Sequence, residues 1–326
     1  MIISQTPMRI SFMGGGTDFP SFFRKEYGTW LSAAIDKYVY VIVKKRFDDD
    51  IVLNHSGRER VRYIDEIKHD LIREAMRVVG VENGVEITTL ADIPTRGCGL
   101  GSSSSVTVGL LNALYAYVGK YADQRTLFED DNTVELTLLR KSMGVQDQAI
   151  AAYGGIRKFH IDRTFCLRFN DTKIDPNWVS NVFSLWYLNS TRSAENVLEE
   201  QNEKNKKGDN LSCLHALKKM VPKMEAAMFD KDVQEVGILL DGSWNLKREL
   251  ASGISNAFIN EVYENMRDWG AYGGKVVGAG GGGFMMVVVP PEYQEHFRKR
   301  ANEEGFRELP FNVVQDGSKI LLNTRR

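Results

Sequence analysis

Hydrophobic positions in the first half of the chain alternate between strand-like runs and helix-like spacings. β-branched and aromatic runs predict strands, and apolar residues at three- and four-residue intervals predict amphipathic helices. The predicted elements are strands at 8–12, 38–43 and 85–90, helices at 65–79, 102–118, 135–140 and 146–152, and a strand pair at 156–169. The helix at 102–118 is the clearest, because one apolar stripe runs along it and four serines at its start supply N-cap oxygens.

The pattern changes near residue 180, after which helical segments dominate. The predicted elements there are helices at 194–207, 211–229, 232–250 and 292–304, and strands at 182–188, within 273–289 around a glycine loop, and within 311–322. Runs of helix flanked by strands in this order predict an α+β architecture. We place a domain boundary near residue 180, which gives an N-terminal domain at 1–180 and a C-terminal domain at 181–326.

Composition excludes several classes of protein. The 326 residues carry 42 Lys and Arg against 43 Asp and Glu, a net charge of −1 that argues against a broad nucleic-acid surface. The cysteines, Cys98, Cys166 and Cys213, lack CxxC spacing, which excludes a disulfide scaffold and a cysteine zinc cluster. No signal-peptide pattern occurs, and no apolar run approaches the roughly 18 residues that span a membrane. We expect a cytoplasmic protein without nucleic-acid or membrane partners.

The sequence GCGLGSSSS at 97–105 places alternating glycines directly before an apolar helix. Glycine lets the backbone approach a ligand closely and adopt positive φ angles, and a helix start offers unpaired N–H groups and a positive dipole end. Together these features favour an anion, most often phosphate, and serine hydroxyls suit phosphate oxygens or Mg²⁺. The alternative is a glycine-rich turn with a polyserine cap. We predict phosphate binding by Gly97, Gly99, Leu100, Gly101, Ser102, Ser103, Ser104 and Ser105.

Two further glycine clusters lie elsewhere in the chain. GGGTD at 14–18 follows the first strand, and its Asp18 either receives substrate hydroxyls or caps the helix that begins near Pro20. GAGGGG at 278–283 satisfies GxGxxG, but a strand follows it instead of a helix, which excludes the dinucleotide-binding interpretation. We predict a loop that packs close to a bound nucleotide or substrate, the alternative being a tight turn between strands.

Motifs of several other enzyme classes are absent from the sequence. GxxxxGK[ST] does not occur, so the chain is not a P-loop NTPase, and no HRD and DFG set marks a protein kinase. GxSxG and HExxH are also missing, which argues against a serine hydrolase and a zinc protease.

The three glycine clusters together resemble the GHMP small-molecule kinases, the superfamily of galactokinase, homoserine kinase, mevalonate kinase and phosphomevalonate kinase. Across essentially the whole chain, PMRISFMGGGTDFP (7–20), IPTRGCGLGSSSSVTVGLLNAL (93–114) and KVVGAGGGGFMMVV (275–288) resemble the family's three motifs in order and spacing. GGGTDF, GVQDQAIAAYGG (144–155) and STRSA (190–194) are similar to the D-glycero-D-manno-heptose 7-phosphate kinases, a branch that also resembles L-fucokinase domains.

The resemblance implies a two-domain α+β fold. The N-terminal domain would be ribosomal-protein-like with a left-handed βαβ unit, and the C-terminal domain ferredoxin-like. ATP would lie between them with its phosphates on the 97–105 loop, and ATP and Mg²⁺ are the implied cofactors. By motif position, Asp147 matches the catalytic aspartate that accepts or orients the proton of the sugar hydroxyl, and Arg9 matches the basic residue paired with it.

The same resemblance implies metal and substrate residues. Ser103 matches a Mg²⁺-ligating hydroxyl and Glu135 a Mg²⁺ carboxylate, although a solvated helix glutamate is the alternative for Glu135. Asp18 matches the residue that contacts sugar hydroxyls. The other predicted substrate positions are Gly16, Thr17, Gly281 and Gly282 in the glycine loops and Thr191 and Arg192 after the strand at 182–188.

Thr191 and Arg192 are candidates for a phosphate at the far end of the substrate, because arginine suits bidentate phosphate recognition. A surface arginine that opens a charged helix is the alternative, and Lys247 is a weaker candidate of the same kind.

The expected function is ATP- and Mg²⁺-dependent phosphorylation of the anomeric hydroxyl of a heptose 7-phosphate, with a small-molecule sugar phosphate as the partner. A kinase for another sugar, such as fucose or galactose, and a non-catalytic sugar or nucleotide sensor are the alternatives. The oligomeric state is left open by the sequence.

Overall fold

The computed structural model describes residues 1–93, 97–190 and 194–324, which form two β-sheets with helices packed on them. The strands are β1 (Ile2–Met13), β2 (Gly28–Lys45), β3 (Ile51–Asn54), β4 (Arg58–Val61), β5 (Val85–Ala91), β6 (Ile156–Ile161), β7 (Leu167–Asp171), β8 (Phe183–Tyr187), β9 (Gly273–Val276), β10 (Phe284–Val288), β11 (Arg307–Glu308) and β12 (Lys319–Asn323). The helices are α1 (Pro20–Phe23), α2 (Asp70–Val79), α3 (Ser102–Tyr117), α4 (Gln124–Asn132), α5 (Gln146–Tyr153), α6 (Pro176–Val182), α7 (Ala194–Lys207), α8 (Leu211–Phe229), α9 (Val233–Leu250), α10 (Ala257–Asp268) and α11 (Gln294–Glu303). None of the helices in these ranges has the length and apolar character needed to cross a membrane.

The larger sheet has the strand order β12-β1-β2-β5-β3-β4, and β6 and β7 extend it beside β2. β2 is 18 residues long, so it pairs with β5 through its C-terminal half and with β6 through its N-terminal half. β3 and β5 are parallel, and the other pairs described in this sheet are antiparallel. β1 therefore lies between two strands, and α3 packs across β1 and β2. This arrangement holds the middle of β1 rigidly against the start of α3.

The smaller sheet has the antiparallel order β11-β8-β10-β9, and α9 packs against β9. Its strands come from the chain after residue 182, as the change of pattern near residue 180 suggested. The last strand, β12, instead pairs with β1 of the larger sheet. The domain boundary near residue 180 stays a prediction, and the chain after it contributes one strand to the first sheet.

Several elements differ from their predicted form, and β1 and β2 extend well beyond the strands predicted at 8–12 and 38–43. The helix predicted at 65–79 is a 3₁₀ turn at Ile64–Glu66 followed by α2, because the Glu59 carboxylate accepts the backbone N–H groups of Lys68 and His69 between them. The helix predicted at 135–140 is a π-helical turn at Thr133–Leu138 that continues α4. Of the strands predicted within 311–322, β12 forms only from residue 319, since residues 314–318 bond to β2 and α5 instead.

The sequence pattern missed several elements, namely α4, α6, α10, β11 and the hairpin of β3 and β4. α10 begins at an Asn256 cap, whose side chain accepts the backbone N–H of Ile259 at 2.9 Å, and buries Ile259, Val262, Tyr263 and Met266 at helical spacing. The hairpin of β3 and β4 is short, and its second strand alternates between exposed and half-buried residues. The helix predicted at 102–118 is confirmed as α3.

Candidate active site

Arg9 and Asp147 form a bidentate ion pair on the wall of a cavity. Arg9 Nε and Nη2 donate to the two carboxylate oxygens of Asp147, each at 2.7 Å. Arg9 Nη1 donates to the Gly99 carbonyl at 2.6 Å, and the Arg9 backbone N–H donates to the Leu100 carbonyl at 2.9 Å. The Arg9 side chain is 4% exposed and that of Asp147 19%. The structure therefore brings together two side chains from distant motifs and fixes both beside the second glycine loop.

Secondary structure explains why these two side chains are held so firmly. Arg9 lies opposite Ala34 in the pairing of β1 with β2, which fixes the position of its backbone in the sheet. Asp147 is in the first turn of α5, where the helix dipole stabilises a negative charge. The carboxylate keeps part of its surface exposed to the cavity.

The loop before α3 has the backbone conformation that alternating glycines permit. The φ angles of Gly97, Gly99 and Gly101 are 71°, 74° and 75°, all in the left-handed region. Gly101 is the N-cap of α3 and no side chain caps the helix, so the expectation that serines supply N-cap oxygens is wrong. The first-turn amides of a helix have no intrahelical acceptor, which suits this loop to an anion. Phosphate binding there stays a prediction.

Two of the serine hydroxyls at the start of α3 bind Glu135 and do not cap the helix. Ser103 Oγ donates to Glu135 Oε1 at 2.8 Å, and Ser104 Oγ donates to Oε2 at 2.7 Å. Lys141 and Gln148 donate to the same carboxylate, each at 3.1 Å. Glu135 is completely buried, which excludes the solvated helix glutamate. Its π-helical turn, a form often found at functional sites, carries it to this position.

Asp18 is buried at the edge of the same cavity. Its Oδ1 accepts the Gly16 backbone N–H at 2.8 Å, and its Oδ2 accepts the Gln146 backbone N–H at 3.2 Å. α1 has no side-chain cap, so the alternative role of Asp18 as a helix cap is wrong. Burial raises the pKa of Asp18 from 3.8 to about 6, and the negative charge of Asp147 adds to the rise. Carboxylate oxygens can accept hydrogen bonds from hydroxyl groups, and contact between Asp18 and sugar hydroxyls stays a prediction.

The substitution Asp18→Asn should stabilise the protein near neutral pH. Because the folded-state pKa of Asp18 lies above that of the unfolded chain, the folded state binds the proton more tightly and loses stability as the carboxyl ionises. The pKa shift corresponds to a gain in unfolding free energy of about 3 kcal/mol above pH 6. The gain is smaller if the amide does not replace both backbone hydrogen bonds of the carboxylate. Urea unfolding of both proteins at roughly pH 4, 5.5 and 7 measures it. A stability difference that does not grow with pH would contradict the raised pKa.

The other predicted residues of the first glycine loop have different surroundings. Gly16 lines the cavity, and its N–H is the donor that holds Asp18. Thr17 is fully buried, and its hydroxyl lies 2.8 Å from the carbonyl oxygens of both Gly14 and Thr29. Thr17 therefore fixes the loop against β2, and the structure does not bring its hydroxyl to the cavity.

The third glycine loop packs backbone to backbone on the second. A Cβ on Gly278 would lie 2.6 Å from Gly99 Cα, and one on Gly283 would lie 2.7 Å from the carbonyl oxygens of Gly97 and Cys98. Gly278 and Ala279 line the cavity. Gly281 and Gly282 are buried, the Gly281 N–H donates to the Ile254 carbonyl at 2.8 Å, and neither residue lines the cavity. The third glycine loop thus supports the second, and substrate contact by Gly281 and Gly282 has no support in the geometry.

Two lysines belong to this site by position. Lys247 of α9 and Lys275 of β9 both line the cavity with Arg9 and Asp147. Lys275 was missed, although a single buried charge in the apolar, glycine-rich run 273–289 is a sequence signal of function. Thr191 and Arg192, the candidates for a distal phosphate, lie outside the described residues.

Models of one protein family match both halves of the chain. The model described as the GHMP kinases N terminal domain matches residues 63–155, which include the second glycine loop, Glu135 and Asp147. The model described as GHMP kinases C terminal matches residues 216–307, which include Lys247 and the third glycine loop.

The chain belongs to the GHMP kinases. GHMP kinases are ATP-using phosphotransferases, and the predicted two-domain GHMP kinase fold with mixed α and β content is confirmed.

Named relatives of this GHMP kinase act on sugars or on mevalonate. A Campylobacter jejuni protein named D-glycero-alpha-D-manno-heptose 7-phosphate kinase is 29% identical over 301 residues, covering 86% of each chain. The bifunctional fucokinase/GDP-fucose pyrophosphorylase of Arabidopsis thaliana is 25% identical over 85% of this chain and 28% of its own length.

Solved structures of GHMP kinases share the whole fold. A structure described as a D-glycero-D-manno-heptose 1-phosphate kinase from Bacteroides thetaiotaomicron superposes with a TM-score of 0.82 over 100% of both chains, at 22% identity. A putative sugar kinase from Campylobacter jejuni superposes with a TM-score of 0.79 over 98% of this chain and 97% of its own, at 26% identity.

Proposed function

We propose that this GHMP kinase transfers the γ-phosphoryl group of ATP to the anomeric hydroxyl of D-glycero-D-manno-heptose 7-phosphate. The product would be the 1,7-bisphosphate, formed in the cytoplasm as a step toward nucleotide-activated heptose for surface glycans. The observation that carries the proposal is one cavity holding the Arg9–Asp147 pair, Asp18 and the edge of a glycine loop. The heptose phosphate itself is supported by the 29% identical relative and by the GGGTDF and STRSA segments.

Asp147 and Arg9 perform the central tasks of the proposed transfer. Phosphoryl transfer depends on positioning and on neutralising charge more than on covalent help. Asp147 accepts or orients the proton of the attacking hydroxyl, and its bidentate bond with Arg9 keeps the carboxylate in one orientation. Arg9 is anchored to Gly99, so its positive charge stays beside the loop that would hold the ATP phosphates.

The residues around Glu135 fit a magnesium ion. Mg²⁺ prefers oxygen ligands and is usually held by one or two carboxylates together with substrate phosphates. Glu135 and the hydroxyl of Ser103 would hold it, because the π-helical turn brings Glu135 against Ser103 at the start of α3, beside the glycine loop. When bound, the ion supplies charge neutralisation at the β- and γ-phosphates. Without the ion, the ammonium of Lys141, 3.1 Å from Glu135 Oε1, neutralises the charge of the carboxylate.

The substitution Glu135→Gln should raise the Mg²⁺ concentration needed for nucleotide binding by at least about tenfold, because the metal loses its charged ligand. Titration of a fluorescent ATP analogue at a series of Mg²⁺ concentrations measures the change. Glu74→Gln is the matched control, since Glu74 is also a buried, ion-paired glutamate but lies on α2. An unchanged Mg²⁺ requirement in Glu135→Gln would remove Glu135 from the metal site.

ADP release from ATP and Mg²⁺ across a substrate panel tests the proposed function. The panel holds D-glycero-D-manno-heptose 7-phosphate, the corresponding 1-phosphate, free heptose, fucose, galactose and mevalonate, because similar proteins are named for several of these substrates. Phosphorus NMR of the product distinguishes a new anomeric phosphate from a new phosphate elsewhere. Turnover on the 7-phosphate with a new anomeric signal is the expected result.

Other outcomes identify the alternatives. Turnover only on an unphosphorylated sugar would keep the kinase and replace its substrate, as the fucokinase relatives suggest. Nucleotide binding without turnover on any panel member would favour the sensor, although a sensor would be expected to lack a residue such as Asp147, Arg9 or Ser103, and this chain has all three.

A further inference from the structure

Positive charge exceeds negative charge around the cavity beside Asp147. Arg9 of β1, Lys247 of α9 and Lys275 of β9 all line it. Asp147 is paired with Arg9 through both oxygens, and Asp18 accepts backbone N–H groups with both of its own. Across the described parts of the chain, neither lysine forms an ion pair with a carboxylate. Buried Lys275 and half-buried Lys247 therefore face the cavity without a carboxylate bonded to either ammonium.

Backbone carbonyl groups hold both ammonium groups in place. Lys247 Nζ donates to the carbonyls of Val276 at 2.9 Å and Gly278 at 2.6 Å, and Lys275 Nζ donates to the Phe12 carbonyl at 2.8 Å. An ammonium has three donors, so these bonds leave one on Lys247 and two on Lys275 without a protein acceptor among the described residues. Burying such groups is unfavourable unless a ligand supplies the missing charge and acceptors.

We propose that Lys247 and Lys275 bind a dianionic phosphate group that enters the cavity beside Arg9 and Asp147. This inference rests on the proposed function, which brings two groups of that chemistry to the site. One is the γ-phosphoryl group of ATP, and the other is the phosphate that the sugar substrate carries. The third glycine loop acquires a further role, since Val276 and Gly278 aim Lys247 into the cavity.

Phosphate binding by these lysines takes up protons from solvent. The charged groups that face Lys247 are Arg9 from β1, Lys275 from β9, Asp147 from α5 and Asp18 after β1. Burial lowers the pKa of Lys247 to about 7, and the positive charge of Arg9 acts in the same direction. Burial and its cationic neighbours hold the pKa of Lys275 well below its usual value. A phosphate dianion favours the charged ammonium, so it raises the pKa of either lysine when it binds.

Isothermal titration calorimetry at about pH 8 measures the proton uptake, since a lysine with a pKa of about 7 is then mostly neutral. Each titration is run in two buffers of different ionisation enthalpy, so that the difference in heat counts the protons. The probes are AMP-PNP with Mg²⁺ and D-glycero-D-manno-heptose 7-phosphate, titrated separately. We expect the wild-type chain to take up about one proton or more with at least one of the two probes.

Two substitutions separate phosphate binding from a merely structural role. Lys247→Met should remove about one proton of uptake with the phosphate that Lys247 contacts, and should weaken that probe about 10- to 100-fold near pH 7. Lys247→Arg should keep most of the affinity yet lose the same one proton of uptake, because arginine is already charged before the phosphate binds. The control is Lys223→Met, an exposed lysine on α8. Thermal unfolding of each variant checks that the fold is intact.

The outcomes distinguish this inference from the proposed function. If the heptose phosphate is not a substrate, the proposed function fails, and the AMP-PNP titration still tests the lysines. Proton uptake in Lys247→Met equal to that of the wild type with both probes would overturn the inference, even if turnover on the heptose phosphate is found. Absence of uptake with both probes in the wild type would overturn it too. The probe that loses its uptake in Lys247→Met identifies which phosphate the lysine binds.

Discussion

The substitution Asp147→Asn is expected to lower kcat about 10³-fold and to leave nucleotide affinity nearly unchanged. Asparagine has almost the same shape, but it cannot accept the hydroxyl proton or keep the charge that pairs with Arg9. The nucleotide phosphates are assigned to the 97–105 loop, so their binding does not depend on this carboxylate. Steady-state kinetics with saturating ATP and titration with AMP-PNP measure the two quantities.

Asp147→Asn also leaves the Arg9 guanidinium, which is 4% exposed, without its counter-charge. Breaking a buried ion pair in this way costs about 3 kcal/mol, so thermal unfolding must accompany the kinetics. Asp171→Asn is the control, because it breaks an ion pair with Arg157 while Asp171 is 80% exposed. A folded Asp147→Asn protein with near-normal kcat would show that Asp147 is not the catalytic carboxylate.

The substitution Gly99→Ala is expected to destabilise the protein by about 2–5 kcal/mol and to abolish nucleotide binding. Gly99 has a φ of 74°, and a Cβ there would lie 2.6 Å from the Val277 carbonyl oxygen. Both features are fixed by backbone, so no side-chain movement relieves them. Urea unfolding gives the loss of stability, and AMP-PNP titration gives the loss of binding.

Gly80→Ala is the matched control for Gly99→Ala. Gly80 has a φ of 82° at the end of α2, but nothing lies within 4 Å of a Cβ built there. The substitution Gly80→Ala should therefore lower the free energy of unfolding by about 1 kcal/mol, the cost of the left-handed conformation alone. Equal losses in the two variants would mean that contact with the third glycine loop is unimportant.

Sequence patterns predicted the parts of this protein that depend on local backbone chemistry. Gly97, Gly99 and Gly101 adopt the left-handed conformation that the alternating pattern indicated, and α3 begins where it was predicted. Gly281 and Gly282 are glycines of the same loop as Gly278, but they do not line the cavity. The glycine pattern fixes which conformations are open to a loop, but only the packing of two loops decides which residues face a ligand.

Long-range pairings could not be derived from spacing. Arg9 and Asp147 were paired only through the resemblance to a family, since their motifs lie 138 residues apart. Ser103 and Ser104 looked like helix caps because serine favours that position, and their bonds to Glu135 depend on a π-helical turn that no local pattern announced. Lys275 was overlooked because the neighbouring residues predict a strand but do not show that the side chain of Lys275 lines the cavity.

The contact between the two glycine loops has a consequence for recombining GHMP kinases. At Gly99, Gly278 and Gly283 the two segments approach so closely that a Cβ on one backbone would lie 2.6–2.7 Å from an atom of the other. A chimera that joins the first half of one family member to the second half of another preserves this contact only if both parents have glycine at the contacting positions. The construction of chimeric enzymes with new substrate preferences should therefore first match these two loops. Residues of the substrate pocket can be varied afterwards.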